Sequence, residues 1–362
     1  MPLESYDLPS ADPPLPVART AANLQDLRSG LESVLPPRDL DRTLRVASWN
    51  VKQLGGRARL PESYWYIAEV LSHFDVVFLR ELAGDLSGLE RVRGLLGEHW
   101  AYLVSDLLGG SDTDERVGIV YDTRTVQFTG ICGEFVLPDT EVVGRRRVQV
   151  RGLARSPLMA SFRAGGFEFA LAGLQLRDLP ADTPDPEAAR QAAAEALALH
   201  MAERTVDPAA RTRNLILLGD FDFHEAGSAI ARELAANGFG IPVGREAILS
   251  AREGKVGRFY DQLAYRFGDR PRLAPLGQGV LPLFDWVFRD DQYARYRPEL
   301  RKDDGQAPRD AASFYRQYFR RDQLSDHHPL WAAFDVDLGA DRLDRLARIS
   351  HQRYRWVTQR RG

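Results

Sequence analysis

Ser325-Asp326-His327-His328-Pro329, near the carboxyl-terminal end, is the stretch that decides the fold expected for this chain. Four shorter stretches precede it in a fixed order, and each places an acidic or amide side chain after an apolar run. They are Ser48-Trp49-Asn50-Val51, Leu79-Arg80-Glu81-Leu82, Leu218-Gly219-Asp220-Phe221-Asp222 and Phe259-Tyr260-Asp261-Gln262. An Asp or Asn after a strand is by itself a common turn residue. The joint occurrence of all five stretches therefore carries the argument.

The composition is that of an ordinary globular protein. The chain has 362 residues, of which 44% are hydrophobic and 10% aromatic, enough to bury a large core. A formal net charge of -3 excludes a general basic field of the kind that announces nucleic-acid or membrane binding. The single cysteine excludes an internal disulfide framework. Without a signal peptide or an apolar run of spanning length, the sequence predicts a cytoplasmic protein with no membrane contact.

Three regions are expected along the chain. Residues 1–43 form a proline-rich arm followed by a short amphipathic helix over Ala21–Val34, because leucines recur there at spacings of three or four. Residues 44–337 form the catalytic domain. Residues 338–362 form an arginine-rich tail helix. Within the middle region, residues 291–323 are highly charged and predict a long surface insertion.

Strand-like and helical runs mix unevenly in the middle region. Two hairpin-like pairs, Val117–Gly130 and Leu158–Leu174, stand among alternating strands and helices, which favours mixed sheets covered by helices over a regular parallel ladder. The expected strands are Leu44–Trp49, Val76–Leu79, Val117–Tyr121, Leu158–Phe162, Phe167–Leu174 and Leu215–Leu218, and the expected helices are Tyr64–His73, Leu86–Leu96, Ala188–Arg204 and Ala229–Asn237.

The polar residues that follow the strands suggest metal-assisted chemistry. Side chains at strand ends can converge at one sheet edge, and the candidates are Asn50, Glu81, Asp220, Asp261 and Asp326. Carbonyl and carboxylate oxygens suit Mg²⁺ or Mn²⁺, which would polarise a phosphoryl oxygen. Asp220 is then a candidate to orient and deprotonate the attacking water, and His327 to donate to the phosphoryl oxygen. The structural alternatives are turn residues, a favourable helix-start carboxylate at Glu81, and a structural Asp-His pair.

The five stretches together resemble the endonuclease/exonuclease/phosphatase superfamily, the group that includes pancreatic deoxyribonuclease, and its bacterial branch in particular. The resemblance runs from Leu44 to Asp335. It implies an α/β fold, a four-layer sandwich in which two packed mixed β-sheets are flanked by helices. It also implies a divalent-metal-dependent phosphoester hydrolase.

The resemblance assigns roles residue by residue. Asn50, Glu81 and Asp326 are implied as metal-holding residues, with Asn50 also near substrate. The strand from Glu115 to Tyr121 resembles one that begins with a catalytic Glu, and its Tyr121 is implied in substrate binding. Arg155 in Arg155-Ser156-Pro157 is implied to contact phosphate. Asp220 handles the water, Asp261 stands near the leaving group with Asp285 as a weaker substitute, and His327 rather than His328 is the catalytic histidine.

Two positions depart from the superfamily pattern. Gln175 stands where a His is usual, and an amide is no general acid near neutral pH. Losing a positioned acid costs about 10²–10⁴-fold in rate. Asp222 stands where an Asn is usual, and a carboxylate 4 Å from a phosphate is repelled by about 4 kcal/mol at an effective dielectric of 20. Additional metal, protonation of Asp222, reduced activity or a different substrate are the open explanations.

Two arginine-rich segments, 145–155 and 341–362, favour a nucleic-acid partner, because such segments neutralise phosphates. The chain uses arginine almost to the exclusion of lysine, however, so any one arginine run carries less weight. The leading hypothesis is a Mg²⁺- or Mn²⁺-dependent phosphodiesterase, a nuclease acting on DNA or RNA. The alternatives are a phosphatase or phosphodiesterase for small or lipid phosphoesters, and a non-catalytic member that binds phosphorylated ligands.

Overall fold

The computed structural model of the chain describes most of the sequence. The described residues are 3, 6, 16–40, 42–107, 115–136, 140–143, 146–149, 156–175, 185–223, 229–241, 259–268, 273, 275–302, 304–337, 339 and 343.

The helices and strands are as follows. The α-helices are α1 (Val17–Val34), α2 (Pro61–Ser72), α3 (Ser87–Leu96), α4 (Pro186–Val206), α5 (Ala229–Ala236), α6 (Tyr293–Tyr296), α7 (Ala311–Phe314) and α8 (Arg320–Gln323). The strands are β1 (Thr43–Leu54), β2 (Val76–Ala83), β3 (Trp100–Val104), β4 (Glu115–Asp122), β5 (Val126–Glu134), β6 (Thr140–Val143), β7 (Arg146–Gln149), β8 (Leu158–Ala164), β9 (Phe167–Gln175), β10 (Asn214–Phe223), β11 (Phe259–Phe267), β12 (Pro275–Val280) and β13 (Leu330–Asp335). Short 3-10 turns cover Leu283–Asp285, Asp290–Gln292 and Arg297–Glu299, and a π-helical turn covers Tyr315–Phe319.

Two mixed sheets form the centre of the molecule. The first has six strands in the order β12-β13-β1-β2-β4-β3, and the second has five in the order β11-β10-β9-β8-β5. In each sheet one central pair is parallel, β1 with β2 and β9 with β10, while the other pairs are antiparallel. Strands β6 and β7 form a separate two-stranded hairpin.

Three hydrophobic clusters show that these elements form four layers. One cluster lies between the sheets and takes residues from both. A second packs α1, α2, α3 and the 283–324 region on the outer face of the first sheet. The third packs α4 and α5 on the outer face of the second sheet. The four-layer α/β sandwich predicted from the sequence is therefore confirmed.

Strand β1 shows how the sequence pattern produces this arrangement. Successive side chains of a strand point to opposite faces. Leu44 and Val46 enter the cluster between the sheets, whereas Ala47, Trp49 and Val51 enter the outer cluster. Both faces are buried, which explains why the strand reads as a nearly continuous apolar run rather than an alternating one.

Helix α1 is part of the main core. It begins at Val17, four residues before the predicted start, and its Leu24, Leu27 and Leu31 are buried in the same cluster as β1 and α2. The N-terminal helix thus contributes to the core of the sandwich.

Two other local predictions are wrong. Residues 291–323 do not form a surface insertion, because Tyr296 and Tyr315 are fully buried and their rings stack 5.9 Å apart. Val117–Gly130 is not a hairpin, because β4 pairs with β2 and β3 while β5 pairs with β8 in the other sheet. The chain crosses between sheets at this point. The predicted Leu158–Leu174 hairpin is confirmed as the antiparallel pair β8–β9.

Candidate active site

The pairing of the strands brings the polar residues of the sequence motifs into two short rows. In the first sheet Asn50 lies opposite Arg80 in the parallel β1–β2 pair. In the second sheet Asp220 lies opposite Gln175 on one side and opposite Asp261 on the other. Each row stands near the end of its strands, so the two sheets present their polar residues at one edge of the sandwich.

Strand β2 contains a β-bulge at Arg80 and Glu81, which interrupts the regular alternation of its side chains. The β2–β4 register shifts between Leu79 and Leu82, so that two residues, Arg80 and Glu81, oppose a single residue of β4. Glu81 adopts a left-handed backbone with φ 57°. Because of the extra residue, Leu79 and Leu82 both enter the outer cluster although they are three apart. Arg80, two residues after Phe78, keeps the regular alternation and faces the opposite sheet, so the bulge alters the side-chain directions only from Glu81 onward.

Two glycines allow the sheets and strands to approach closely beneath the site. Gly219, which precedes Asp220, has φ 128°, and a Cβ there would lie 2.1 Å from the Leu174 carbonyl oxygen. A Cβ on Gly173 would lie 2.0 Å from the ring of Phe78 in the opposite sheet. Any other residue at position 219 would strain the backbone and move the Asp220 carboxylate.

Asn50 and Glu81 form a direct contact at the site. The Asn50 amide Nδ2 donates to Glu81 Oε1 at 2.5 Å, and Asn50 Oδ1 accepts from the backbone N–H of Lys52 at 2.9 Å. Asn50 is buried, whereas Glu81 is partly exposed. The Asn50 amide therefore positions the Glu81 carboxylate at the accessible edge of the site.

His327 is held in place from both sides. Its Nδ1 lies 2.5 Å from Asp261 Oδ2. Its backbone N–H donates to the Ser325 hydroxyl at 3.0 Å, and its carbonyl accepts from the indole N–H of Trp49 at 2.9 Å. Burial and the positive charge of Arg80 lower the pKa of His327 to about 4. The ring is therefore neutral near pH 7.

The tautomer of His327 follows from its partner. A carboxylate only accepts hydrogen bonds, so Nδ1 carries the proton and donates to Asp261. The lone pair of Nε2 is then the basic atom of the ring. This arrangement pairs a neutral imidazole with an orienting carboxylate, which suits a proton acceptor.

Arg80 is the site residue that sequence reasoning missed. Its guanidinium is 2% exposed, donates to Asp261 and lies 3.5 Å from Asp220 Oδ2. The signal was visible in Leu79-Arg80-Glu81, where the superfamily usually has Gln before Glu. A charged side chain in that position of a buried strand requires a buried partner.

The other predicted residues are distributed as follows. Gln175 lies beside Asp220 as the β9–β10 register requires. Glu115 begins β4 at the same edge and accepts from Gln53 Nε2 at 3.3 Å. Asp326 is partly buried beside His327, and its charge acts on the pKa of that ring. His328 turns away, since its Nδ1 accepts from the Leu283 backbone.

Two predicted positions are not brought to the site. Tyr121 pairs with Val76, at the opposite end of β2 from Glu81, which places it roughly 15 Å along the strand at about 3.3 Å per residue. Its ring is buried against Phe162 between the sheets, so it is not available to substrate. Asp285 is exposed on a 3-10 turn, and it is Asp261 that contacts His327.

Some predicted residues lie outside the described part of the chain. Arg155 is one, and the side chain of Asp222 is another, although the backbone of Asp222 belongs to β10. Most of the arginine-rich segments 145–155 and 341–362 also falls outside it. Among the described helices, none is both long and apolar enough to cross a membrane.

The sequence matches no protein-family model and no curated protein. Among solved structures, it is similar to an endonuclease/exonuclease/phosphatase family protein from Bacteroides thetaiotaomicron, with a TM-score of 0.51 and 17% identity over 82% of this chain and 98% of that one. The chain has the fold of the endonuclease/exonuclease/phosphatase superfamily. The site described above lies on that fold, at the edge to which both rows of motif residues point.

Two further solved structures match at lower superposition. One is D. rerio TDP2 complexed with a single-strand DNA product, with a TM-score of 0.48 and 16% identity over 81% of this chain and 99% of that one. The other is a Bacteroides thetaiotaomicron mannosyl-6-phosphatase, with a TM-score of 0.48 and 18% identity over 80% of this chain and 98% of that one.

Proposed function

We propose that the protein is a divalent-metal-dependent phosphoester hydrolase. The proposal rests on one observation. Two pairs of residues with different chemistry lie at the same edge of the sandwich. Glu81 offers a carboxylate at an accessible position, and the amide N–H of Asn50 holds that carboxylate in place. Asp261 and His327 form an oriented proton acceptor. A cation site beside a proton acceptor is what attack of water on phosphorus needs.

The residues fit a magnesium-like ion. Mg²⁺ usually keeps several waters and takes one or two carboxylates from the protein. The described residues contain no cluster of three or more His, Cys, Asp and Glu side chains with metal-binding geometry, which argues against a fully protein-enclosed site. Glu81, with Asn50 in contact and Asp326 nearby, would hold the ion. When bound, it would polarise the phosphoryl oxygen and offset charge on the leaving group.

The protein side chains would divide the remaining work. Asp220, paired with Arg80, holds a water for attack. His327 takes the proton of that water on Nε2, while Asp261 keeps the ring oriented and stabilises the imidazolium that forms. The proposal therefore makes His327 a proton acceptor rather than the donor predicted from the sequence, because Nδ1 donates to Asp261 and leaves the lone pair of Nε2 as the accepting atom.

A nucleic acid is the proposed substrate. Besides the arginine-rich segments of the sequence, a basic surface surrounds α8, which leads directly into the Ser325–His327 stretch. Arg316 and Arg321 line a hollow there with Tyr318, which is 57% exposed and stacks on Phe314. Arg320 beneath them is buried and paired with Asp290. Arginines interleaved with an exposed aromatic ring suit single-stranded nucleic acid, since phosphates and bases find partners together.

The competing function is binding of phosphorylated ligands without turnover. It is motivated by Gln175, which lies opposite Asp220 and offers an amide where the superfamily usually has a His. A phosphatase acting on a small phosphoester is the other competitor. These two competing functions predict results in one assay that differ from each other and from those of a nuclease.

The test is hydrolysis by the purified full chain of single-stranded DNA, double-stranded DNA, RNA, bis(p-nitrophenyl) phosphate and p-nitrophenyl phosphate. Each is incubated with Mg²⁺, Mn²⁺ or EDTA. The variant is Glu81→Ala, and the matched control is Glu90→Ala, an acidic residue on the exposed side of α3. We expect cleavage of the diesters that EDTA abolishes, a loss of at least about 100-fold in Glu81→Ala, and wild-type rates in Glu90→Ala.

The competing functions give other results. Turnover of p-nitrophenyl phosphate alone would indicate a phosphatase and contradict the nuclease assignment. Absence of EDTA-sensitive product on every substrate, or equal rates for wild type and Glu81→Ala, would contradict the hydrolase proposal. Recovery of activity in Gln175→His from an inactive wild type would identify a protein that has lost turnover.

A further inference from the structure

The guanidinium of Arg80 lies between two carboxylates of the site. It donates to Asp261 and approaches Asp220 Oδ2 to 3.5 Å, and these carboxylates belong to neighbouring strands of the opposite sheet. All three side chains are buried. Arg80 therefore carries a positive charge across the gap between the two sheets.

We propose that Arg80 takes the place of a second divalent cation, so that the site binds one metal ion per chain. The ion would be held on the Glu81 side, and the Asp220–Asp261 pair would take none. This inference rests on the proposed function, since it assumes that Glu81 and Asn50 hold a metal ion.

The charge of Arg80 is permanent. An arginine stays protonated throughout the pH range in which proteins are folded, and its planar group matches carboxylates. A divalent ion that entered between Asp220 and Asp261 would have to displace the guanidinium from both, or remain beside it inside a low-dielectric interior. With the side chain 2% exposed, Arg80 has no route out to solvent.

Arg80 cannot itself be the group that contacts phosphate. Its guanidinium is enclosed by the two carboxylates and the sheets, so its effect passes through Asp220 and Asp261. It is a positioning residue. The regular alternation of β2 directs it inward, because Phe78, two residues earlier, faces the same space between the sheets.

A neutral glutamine in place of Arg80 would leave the two carboxylates without a compensating positive charge. Two like charges at close range favour binding of a cation. The variant Arg80→Gln is therefore expected to change the number of bound metal ions and not merely the stability.

The experiment counts bound ions without reference to activity. Mn²⁺ is titrated into the full chain at pH 7, and free Mn²⁺ is followed by electron paramagnetic resonance. We expect one ion per chain in the wild type and in Arg80→Lys, which keeps the charge, and a second ion in Arg80→Gln. Glu81→Gln should weaken the single ion by at least about tenfold, while Asp261→Asn should change its affinity by less than about twofold.

The outcomes separate the inference from the proposed function. Two ions in the wild type, with the second weakened by Asp261→Asn, would overturn the role of Arg80 and leave a metal-dependent hydrolase intact. One ion in a folded Arg80→Gln variant, as judged by circular dichroism, would also overturn it. No bound Mn²⁺ in the wild type would overturn both. Should Arg80→Gln fail to fold, the wild-type count and Asp261→Asn still decide the matter.

Discussion

Two ionic clusters in this molecule are built from the same residue types but have different roles. The helix cluster consists of Arg19, Glu62 and Glu299, and joins α1, α2 and the Arg297–Glu299 turn. Arg19 Nη2 lies 2.6 Å from Glu62 and 2.8 Å from Glu299. The site cluster consists of Arg80, Asp220, Asp261 and His327. Both place an arginine between two carboxylates, although Glu299 of the helix cluster is 30% exposed.

The two clusters differ in how their acids are satisfied. Glu62 is completely buried, and donors surround it, since Arg19, Thr20 and Tyr66 all donate to its oxygens. Burial raises the pKa of Glu62 against the opposing effect of these donors. In the site cluster, Asp220 and Asp261 contact Arg80, while Glu81 and Asp326, whose charges act on the pKa of His327, are partly exposed.

This difference separates stability from function. A cluster whose buried acid, Glu62, is surrounded by donors of the protein fixes helices against each other. A cluster bordered by partly exposed acids is suited to take a cation from solution. Disrupting the helix cluster should lower the stability of the protein and leave its activity unchanged. Disrupting the site cluster should lower the activity and change the stability little.

The largest expected effect is on catalysis, in His327→Gln. Removing a positioned proton acceptor should lower kcat by about 10²–10⁴-fold. The free energy of unfolding at pH 7 should change little by comparison, because the ring is neutral there. Steady-state kinetics on a phosphodiester and chemical denaturation check the two halves. A stable variant with wild-type kcat would remove His327 from the mechanism.

The next effect is on stability, in Glu62→Gln. Breaking a buried ion pair leaves Arg19 short of a partner and should lower the free energy of unfolding by about 3–5 kcal/mol. The kcat of the remaining folded protein should stay within about twofold. Glu32→Gln, in the exposed Arg28–Glu32 pair on α1, is the matched control and should cost less than about 1 kcal/mol. Equal costs for the two variants would show that the helix cluster is not special.

A smaller effect concerns pH. The pKa of His327 is about 4 in the folded protein and near 6.5 in the unfolded chain. Between these values the unfolded chain binds the proton that the folded protein does not, so stability falls as pH drops from about 6.5 to 4. The shift corresponds to at most ~3 kcal/mol. Urea unfolding of wild type and His327→Gln at pH 4.5 and 7 measures it, and identical pH slopes would contradict the shift.

The smallest effect is expected for Tyr121→Phe. Its ring lies between the sheets, at the far end of β2 from the site. Loss of the hydroxyl should leave KM and kcat within about twofold. A rise in KM of tenfold or more would return Tyr121 to the substrate site and show that the geometry has been misread.

The positions of several site residues were predictable because they follow strand ends, whereas the four-layer fold was implied by the resemblance of the five stretches to the endonuclease/exonuclease/phosphatase superfamily. An apolar run followed by an acid fixes where a side chain emerges, and the fixed order of five such runs indicated which sheet edge they share. That is why Asn50, Gln175, Asp220, Asp261 and His327 come together.

Other features depended on contacts that no local pattern reports. The partners of Arg80 lie in the opposite sheet, on strands that are distant in the sequence. The burial of residues 291–323 was hidden by their many charges. Tyr293 with Tyr296, and Tyr315 with Phe319, carried the helical spacing of three or four that marks a buried face.

The contrast between the two clusters is tested most directly by X-ray diffraction from crystals grown with Mn²⁺, using anomalous scattering to locate the metal. The account predicts one peak within coordination distance of Glu81, none between Asp220 and Asp261, and none at Glu62. Absence of a peak at Glu81 at saturating Mn²⁺, or a peak between Asp220 and Asp261, would contradict it.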